Sequence, residues 1–389
     1  MLSRFSILAF ASAVLAQSNG TAPSLTEALS SSAQLSSLAG VLALPGLAQL
    51  VQGLSSAQNV TILAPSNAAF ASIGNATVQA LANNTGLLTA LLQYHVLNGT
   101  YRSSAITNQS VFVPTLLTNN LFTNVTGGQV VEAVTTGNNV TFFSGLLANS
   151  TVSMADVNFT GGVIHVIDRF LVLPEIVSDT LTTANLTGLR GALNATNLLE
   201  AVDTIPDVTI FAPSTEAFRE IGSALANASI EDIADILTYH VVNGTVGYSS
   251  GLENGTVLTA LNGDNLTITI GEEGRIFVNS ARVTIADILV ANGVVHVIDE
   301  VLNPANATIA DPSDDEGEGA FPGATAVSDL PFTSGQPTAT TSINQEATGS
   351  QAAPGASSTS SAAGAPAAMK TGSVGMGALL GAAAVYAFN

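Results

Sequence analysis

Three segments of this chain occur twice, in the same order, and that duplication constrains its architecture more than any other feature. Asn59-Val-Thr-Ile-Leu-Ala-Pro-Ser-Asn-Ala-Ala-Phe70 returns as Asp207-Val-Thr-Ile-Phe-Ala-Pro-Ser-Thr-Glu-Ala-Phe218. Tyr94-His-Val-Leu-Asn-Gly-Thr100 returns as Tyr239-His-Val-Val-Asn-Gly-Thr245. Gly162-Val-Ile-His-Val-Ile-Asp168 returns as Gly293-Val-Val-His-Val-Ile-Asp299. The period is far longer than the roughly 20–50 residues of a solenoid repeat, so each copy must carry its own core. The copies span 22–173 and 175–303, with Pro174 at the junction. Copy one is longer between its second and third blocks, which predicts extra loops around Thr118 to Gly145.

Local patterns place helices early and strands late in each copy. Val60-Thr-Ile-Leu and Val208-Thr-Ile-Phe read as short buried strands that end at a proline. Ser66 and Ser214 follow that proline, as caps of helices that carry Phe70 and Phe218 inward. Ser229-Ile-Glu-Asp232 has the form of a capping box. Leu266-Thr-Ile-Thr-Ile270 and Arg275-Ile-Phe-Val278 alternate as half-buried strands do. The fold class is α+β, in two tandem domains.

Beyond Pro304 the character changes. Asp311, Asp314, Asp315, Glu316 and Glu318 precede a Ser/Thr/Ala/Pro/Gly-rich stretch reaching Ser361. Such a segment buries too little apolar area to offset chain entropy, so 305–361 is expected to be a disordered, O-glycosylated stalk.

Both ends look like processing signals. Residues 1–16 combine Arg4, a short apolar run and small residues before Ala16, the pattern of a secretory signal peptide, with a buried helix as the alternative. Residues 362–389 close on an uncharged apolar tail shorter than a bilayer span. Small residues, spacer and tail together match a glycosylphosphatidylinositol (GPI) attachment signal, with Ser361 and Ala362 as attachment candidates. A stop-transfer helix is the alternative.

Seventeen Asn-x-Ser/Thr triplets point to the same compartment, where chance supplies about six. They begin at Asn19, Asn59, Asn75, Asn83, Asn98, Asn108, Asn124, Asn139, Asn149 and Asn158. The rest are Asn185, Asn194, Asn227, Asn243, Asn254, Asn265 and Asn306. An occupied sequon must face solvent, since a hydrated glycan cannot enter a packed core.

Charge and composition remove several function classes. With 8 Lys and Arg against 28 Asp and Glu, the chain cannot neutralise a phosphate backbone, so no nucleic-acid partner is expected. It contains no Cys, hence no disulfide scaffold, thiol nucleophile or Cys-ligated zinc. The acidity is concentrated in copy two, which reads as a solvated face, with a cationic partner or calcium as the alternative. No Asp-x-Asp-x-Asp-Gly loop supports calcium.

All four histidines lie in repeated blocks, which raises a catalytic or metal possibility. Ile233, Ile236, Leu237 and His240 share one helix face, as do Leu88, Leu91, Leu92 and His95. Each of these rings extends an apolar stripe near a helix C-terminus, where it can bond the last carbonyls. His165/Asp168 and His296/Asp299 resemble dyads, but residues three apart on a strand point to opposite faces unless the strand bulges. Ser66 and Ser214 sit at caps and not in a Gly-x-Ser-x-Gly elbow. No catalytic residue, metal site or cofactor is expected.

The repeated blocks, taken together, resemble the signature segments of fasciclin-like domains, over 22–173 and 175–303. The resemblance implies a wedge of β-sheet with helices packed around it, in fungal-type GPI-anchored surface members given the missing cysteines and dense sequons. It implies adhesion or cell-wall and matrix attachment, through partners that are surface or wall proteins or polysaccharides, with self-association as a further option. It also implies adhesive roles for Tyr94, His95, Tyr239 and His240, and for Asp287-Ile288, matched in copy one by Asp156-Val157. The apolar stripes instead favour a structural role for His95 and His240. A secreted polysaccharide-binding module is the competing expectation, although a chain with no Trp offers few rings for sugar stacking.

Overall fold

The computed structural model describes residues 22–311, 319–339 and 342–343. The signal-peptide segment 1–16, Asn19, Ser361, Ala362 and the tail 362–389 lie outside the described residues.

Each copy folds around one curled seven-stranded sheet. In the first domain the strands are β1 (Val60–Pro65), β2 (Val96–Asn98), β3 (Val111–Pro114) and β4 (Val130–Thr136). They continue as β5 (Asn139–Phe143), β6 (Asn149–Phe159) and β7 (Gly162–Ile167), in the spatial order β2-β1-β7-β6-β5-β4-β3. The second domain repeats the pattern with β8 (Val208–Pro213), β9 (Val241–Val242), β10 (Val257–Thr259) and β11 (Asn265–Ile270). Its last strands are β12 (Ile276–Val278), β13 (Ala281–Val290) and β14 (Gly293–Ile298), ordered β10-β11-β12-β13-β14-β8-β9. Isolated bridges, Leu97 to Thr115 and Val242 to Ala260, join the two ends of each sheet. The long strand β6 serves both halves of the wedge, because its first residues pair with β5 and its last with β7.

The repeated blocks form the centre of each sheet. All six residues of β1 and of β8 are buried, as a strand covered on both faces requires. Each runs parallel to the last strand of its own domain, Val60 opposite Gly162 and Val208 opposite Gly293. Ser66 Oγ accepts from Ala69 N–H and Ser214 Oγ from Ala217 N–H, so the serines after the prolines cap the helices that bury Phe70 and Phe218. Ser229 and Asp232 form the reciprocal capping box of helix Ile230–Tyr239.

The extra length of copy one lies mainly in the 115–129 loop, which docks on the second domain. Asn124 donates its N–H to Ala291 O (2.7 Å) and its Nδ2 to Thr204 O (2.9 Å). Thr126 bonds both carboxylate oxygens of Asp207, and Gln129 Nε2 donates to Val290 O at 3.0 Å. Leu146, Leu147, Ala148 and Val172 of the first domain join the hydrophobic core of the second. Leu146 and Leu147 adopt left-handed backbone (φ 58° and 54°), an uncommon conformation for non-glycine residues, held here by near-complete burial of both side chains.

Part of the expected stalk is structured. Residues 319–339 lie as a strap across the second domain, where Phe321, Ala324 and Phe332 pack against its core and Ile343 is buried in it. Composition averages hid this, because a few apolar side chains spaced along a polar segment suffice to anchor it.

Candidate functional site

The residues singled out by the repeats converge on two internal networks per domain. His95 and His240 are the C-caps of helices Thr85–Tyr94 and Ile230–Tyr239. Each Nδ1–H donates to a carbonyl one turn back, Leu91 O or Ile236 O, at 2.7 Å. Each Nε2 accepts from the chain leaving the last strand, from Leu171 N–H at 3.0 Å and Leu302 N–H at 2.9 Å. Both rings are buried, which pulls their pKa down to about 4 against the helix carbonyl that favours the charged form. The imidazoles therefore stay neutral in one tautomer and tie a helix end to the domain's C-terminal segment. The neighbouring Tyr94 hydroxyl donates to Val130 O and that of Tyr239 to Asn265 O, both at 2.9 Å.

The second network joins a serine, an aspartate and a histidine. Bulges in β6 and β13 place Asp156 and Asp287 in left-handed backbone, φ 58° and 60°. Ser103 donates N–H and Oγ–H to the Asp156 carboxylate, and Ser249 does the same to Asp287. The aspartates' own N–H groups donate to His165 Nδ1 and His296 Nδ1 at 3.2 Å. The opposite ring nitrogens donate to Tyr101 O (2.7 Å) and Gly247 O (2.8 Å). Burial pushes the Asp156 carboxyl up, but the Ser103 bonds, His165 and Arg102 outweigh it and hold the group below its ordinary value.

This grouping has the residue types of a hydrolytic triad without its connectivity. The serine hydroxyl is bonded to the carboxylate, and both imidazole nitrogens are bonded to main chain. No ring nitrogen is left to take the serine proton, which is the step such a nucleophile needs. The carboxylates nearest in sequence point elsewhere: Asp168 accepts from Thr151 N–H (2.7 Å), and Asp299 accepts from Arg282 N–H (2.8 Å). Among the described residues no three His, Asp or Glu side chains gather as a metal ion requires.

The adhesive positions suggested by resemblance are enclosed. Tyr94, His95, Tyr239, His240, Asp287 and Ile288 are each at most 2% exposed, so a partner cannot touch them in this fold. Asp156 and Val157 are half-buried. By contrast, of the sixteen sequon asparagines among the described residues, only Asn149 and Asn306 are half-buried, and the other fourteen are exposed. Sequence reading missed Asp156 and Asp287 as partners of the histidines, because the strand-face rule assumes unbroken pairing. The recurrence of Ser103/Ser249 together with Asp156/Asp287 was the available signal.

The junction carries a titratable group of its own. The Glu175 carbonyl accepts from Ala291 N–H at 2.7 Å, and burial, with help from Asp179, pushes its carboxyl up to about 7. A carboxyl whose pKa rises on folding contributes full stability below about pH 4.5 and loses it as pH climbs through 7. Glu175→Gln should therefore raise stability at pH 8 by up to about 3 kcal/mol and leave it little changed at pH 4. Urea midpoints of both proteins at the two pH values check this, and equal midpoint gaps would contradict it.

Comparison with known proteins agrees with the duplication. The Fasciclin domain matches the chain twice, over residues 33–174 and 184–304. A fasciclin-like arabinogalactan protein of Arthroderma benhamiae is 40% identical over 294 residues, covering 75% of this chain and 69% of the relative. A second, CTB11 of Cercospora beticola, is 32% identical over 307 residues, covering 77% and 81%. A solved FAS1 domain pair from the insect cell adhesion molecule Fasciclin I aligns with 69% of this chain and 96% of its own, at 22% identity and a TM-score of 0.33. The chain, with its two matched copies, belongs to the fasciclin domain family.

Proposed function

We propose that this chain is a surface-held glycoprotein that mediates adhesion or organises the cell wall, without catalysis, through the exterior of its domain pair. The observation that carries this reading is the consumption of both recurring His networks by main-chain bonds inside each domain. Reactive side chains are spent on holding the fold, while the exterior carries fourteen exposed sequon asparagines. The fasciclin-like arabinogalactan relatives support the same class. A signal peptide, N-glycans and a GPI anchor at Ser361 or Ala362 would deliver the pair to the outer surface, beyond the plasma membrane.

The test is binding of the full secreted chain to intact cells and to purified wall glycans, alongside cell–cell attachment after gene deletion. Binding to cells with reduced attachment in the deletion strain is expected. Saturable binding to isolated glycans alone would favour a polysaccharide-binding module, and unchanged attachment would remove the adhesive role. Release of the native protein by a phosphatidylinositol-specific phospholipase is expected from a lipid anchor; retention would indicate a spanning tail.

A further inference from the structure

The strap on the second domain sits where two helix glycines leave room for it. A Cβ added at Gly191 would lie 1.8 Å from Phe332 O, and one at Gly222 would lie 2.2 Å from a Val327 methyl. The Phe332 ring meets Phe218 edge-on at 6.2 Å between centroids. Polar bonds complete the seat: Val327 N–H to Arg219 O (3.1 Å), Thr325 N–H to Ser223 Oγ (2.8 Å) and Arg190 Nη1 to Gln336 Oε1 (2.7 Å).

The first domain repeats the apolar part of this seat, with Phe170 edge-on to Phe70 at 4.8 Å between centroids, and none of the described residues lies across it as the strap does in the second. The duplicated blocks align Phe70 with Phe218 and, four residues on, Gly74 with Gly222. The preceding helices align Leu38-Ala-Gly-Val41 with Leu189-Arg-Gly-Ala192, which sets Gly40 against Gly191. An added Cβ at Gly40 would meet nothing within 4 Å, and Gly74 also borders open space, although it lies in left-handed backbone (φ 77°) where Gly222 is helical. Beside these glycines, Val41, Phe70, Ile73, Leu81, Leu88 and Phe170 line a shallow apolar cleft.

We propose that this cleft is a docking site for residues 321–336 of a second copy of the chain. The occupant follows from the internal duplicate, where that same segment is seated between the matching glycines and on the matching phenylalanine. Charge favours the transfer as well, since Asp329 is the one ionisable residue in 319–339 and the first domain is nearly neutral, whereas the second is acidic. Each chain carries two seats and one strap. A strap that leaves its own second domain to reach a neighbour's first domain keeps the apolar contacts but gives up the Arg190–Gln336 bond, where the first domain has Ala39, so wild-type association is weak and rises when the home seat is closed. Asn75 stands where Ser223 stands and heads a sequon, so a glycan there would cover the cleft's edge; protein made in bacteria, without N-glycans, is the material to use.

Gly191→Leu closes the home seat and frees the strap. Sedimentation of the full chain should show self-association at least tenfold tighter than wild type, and adding Gly40→Leu should return it to the wild-type level. Because Gly191→Leu is buried and risks misfolding, a second measurement uses a fluorescent peptide of residues 319–339. It should bind the full wild-type chain and lose at least tenfold in affinity against Gly40→Leu, which sits on an exposed helix position. Equal binding to both proteins, binding to neither, or self-association of Gly191→Leu that ignores position 40 would each overturn the proposal.

Discussion

Gly293→Ala should prevent the second domain from closing its sheet. Gly293 opens β14 directly across from Val208, and an added Cβ would lie 1.8 Å from the Val208 carbonyl oxygen, against backbone that cannot rotate away. Relief requires β14 and β8 to separate by more than an ångström at the point where the parallel pairing starts, among residues that are all buried. The expected cost is roughly 4 kcal/mol or more, in the range reserved for severe steric conflict or loss of a core network. Gly162→Ala should do the same to the first domain, where the corresponding distance to Val60 O is 1.9 Å. Gly53→Ala is the matched control: it lies in a helix, an added Cβ meets nothing within 4 Å, and alanine should be neutral or stabilising by about 1 kcal/mol. Urea unfolding of the three variants decides the matter, and a Gly293→Ala protein within about 1 kcal/mol of wild type would show that the parallel pair is not the keystone of the domain.

The second large effect is acid destabilisation through His95 and His240. Their folded-state pKa of about 4 lies below the ordinary 6.5, so unfolding takes up protons between those values. Their contribution is intact above about pH 6.5 and drains away as pH falls toward 4, by about 3 kcal/mol for each ring. Glu175 acts in the opposite direction over an overlapping window, and the two histidines outweigh it. Measured in a Glu175→Gln background, the decline on the acid side should steepen. His240→Gln should be less stable than wild type at pH 7, because it breaks the link between Ile236 O and Leu302 N–H, and in the Glu175→Gln background its domain should no longer lose stability between pH 6.5 and 4.5. The His95 and His240 imidazole NMR signals should hold the Nδ1–H tautomer without titrating down to pH 5; titration of either ring near 6.5 would refute the buried-strut assignment.

The sequence was most legible where local chemistry and the global pattern coincide. The strands Val60–Pro65 and Val208–Pro213, the serine caps after them and the inward faces of His95 and His240 all follow from short-range periodicity. The Asp156 and Asp287 networks were hidden because they depend on a strand bulge and on left-handed backbone in a non-glycine residue, neither of which has a periodic signature. The docking of Asn124 and Thr126 against Thr204, Asp207 and Ala291 was invisible for another reason. It joins residues about 80 or more positions apart, and nothing local marks a loop as an inter-domain contact. The strap escaped notice because Phe321, Val327 and Phe332 are too sparse to alter a composition average.

Parallel pairing of the first and last strands also sets a timetable for biosynthesis. Val60 cannot meet Gly162, nor Val208 meet Gly293, until almost the whole of the intervening copy has left the ribosome. At roughly 5–20 residues per second, a hundred residues of chain take on the order of 5–20 s to emerge, and throughout that interval neither core can close. On the proposed route through the secretory pathway, the sequons from Asn75 to Asn158 would be synthesised into an open chain, and an oligosaccharide transferase would meet them before the finished surface exists.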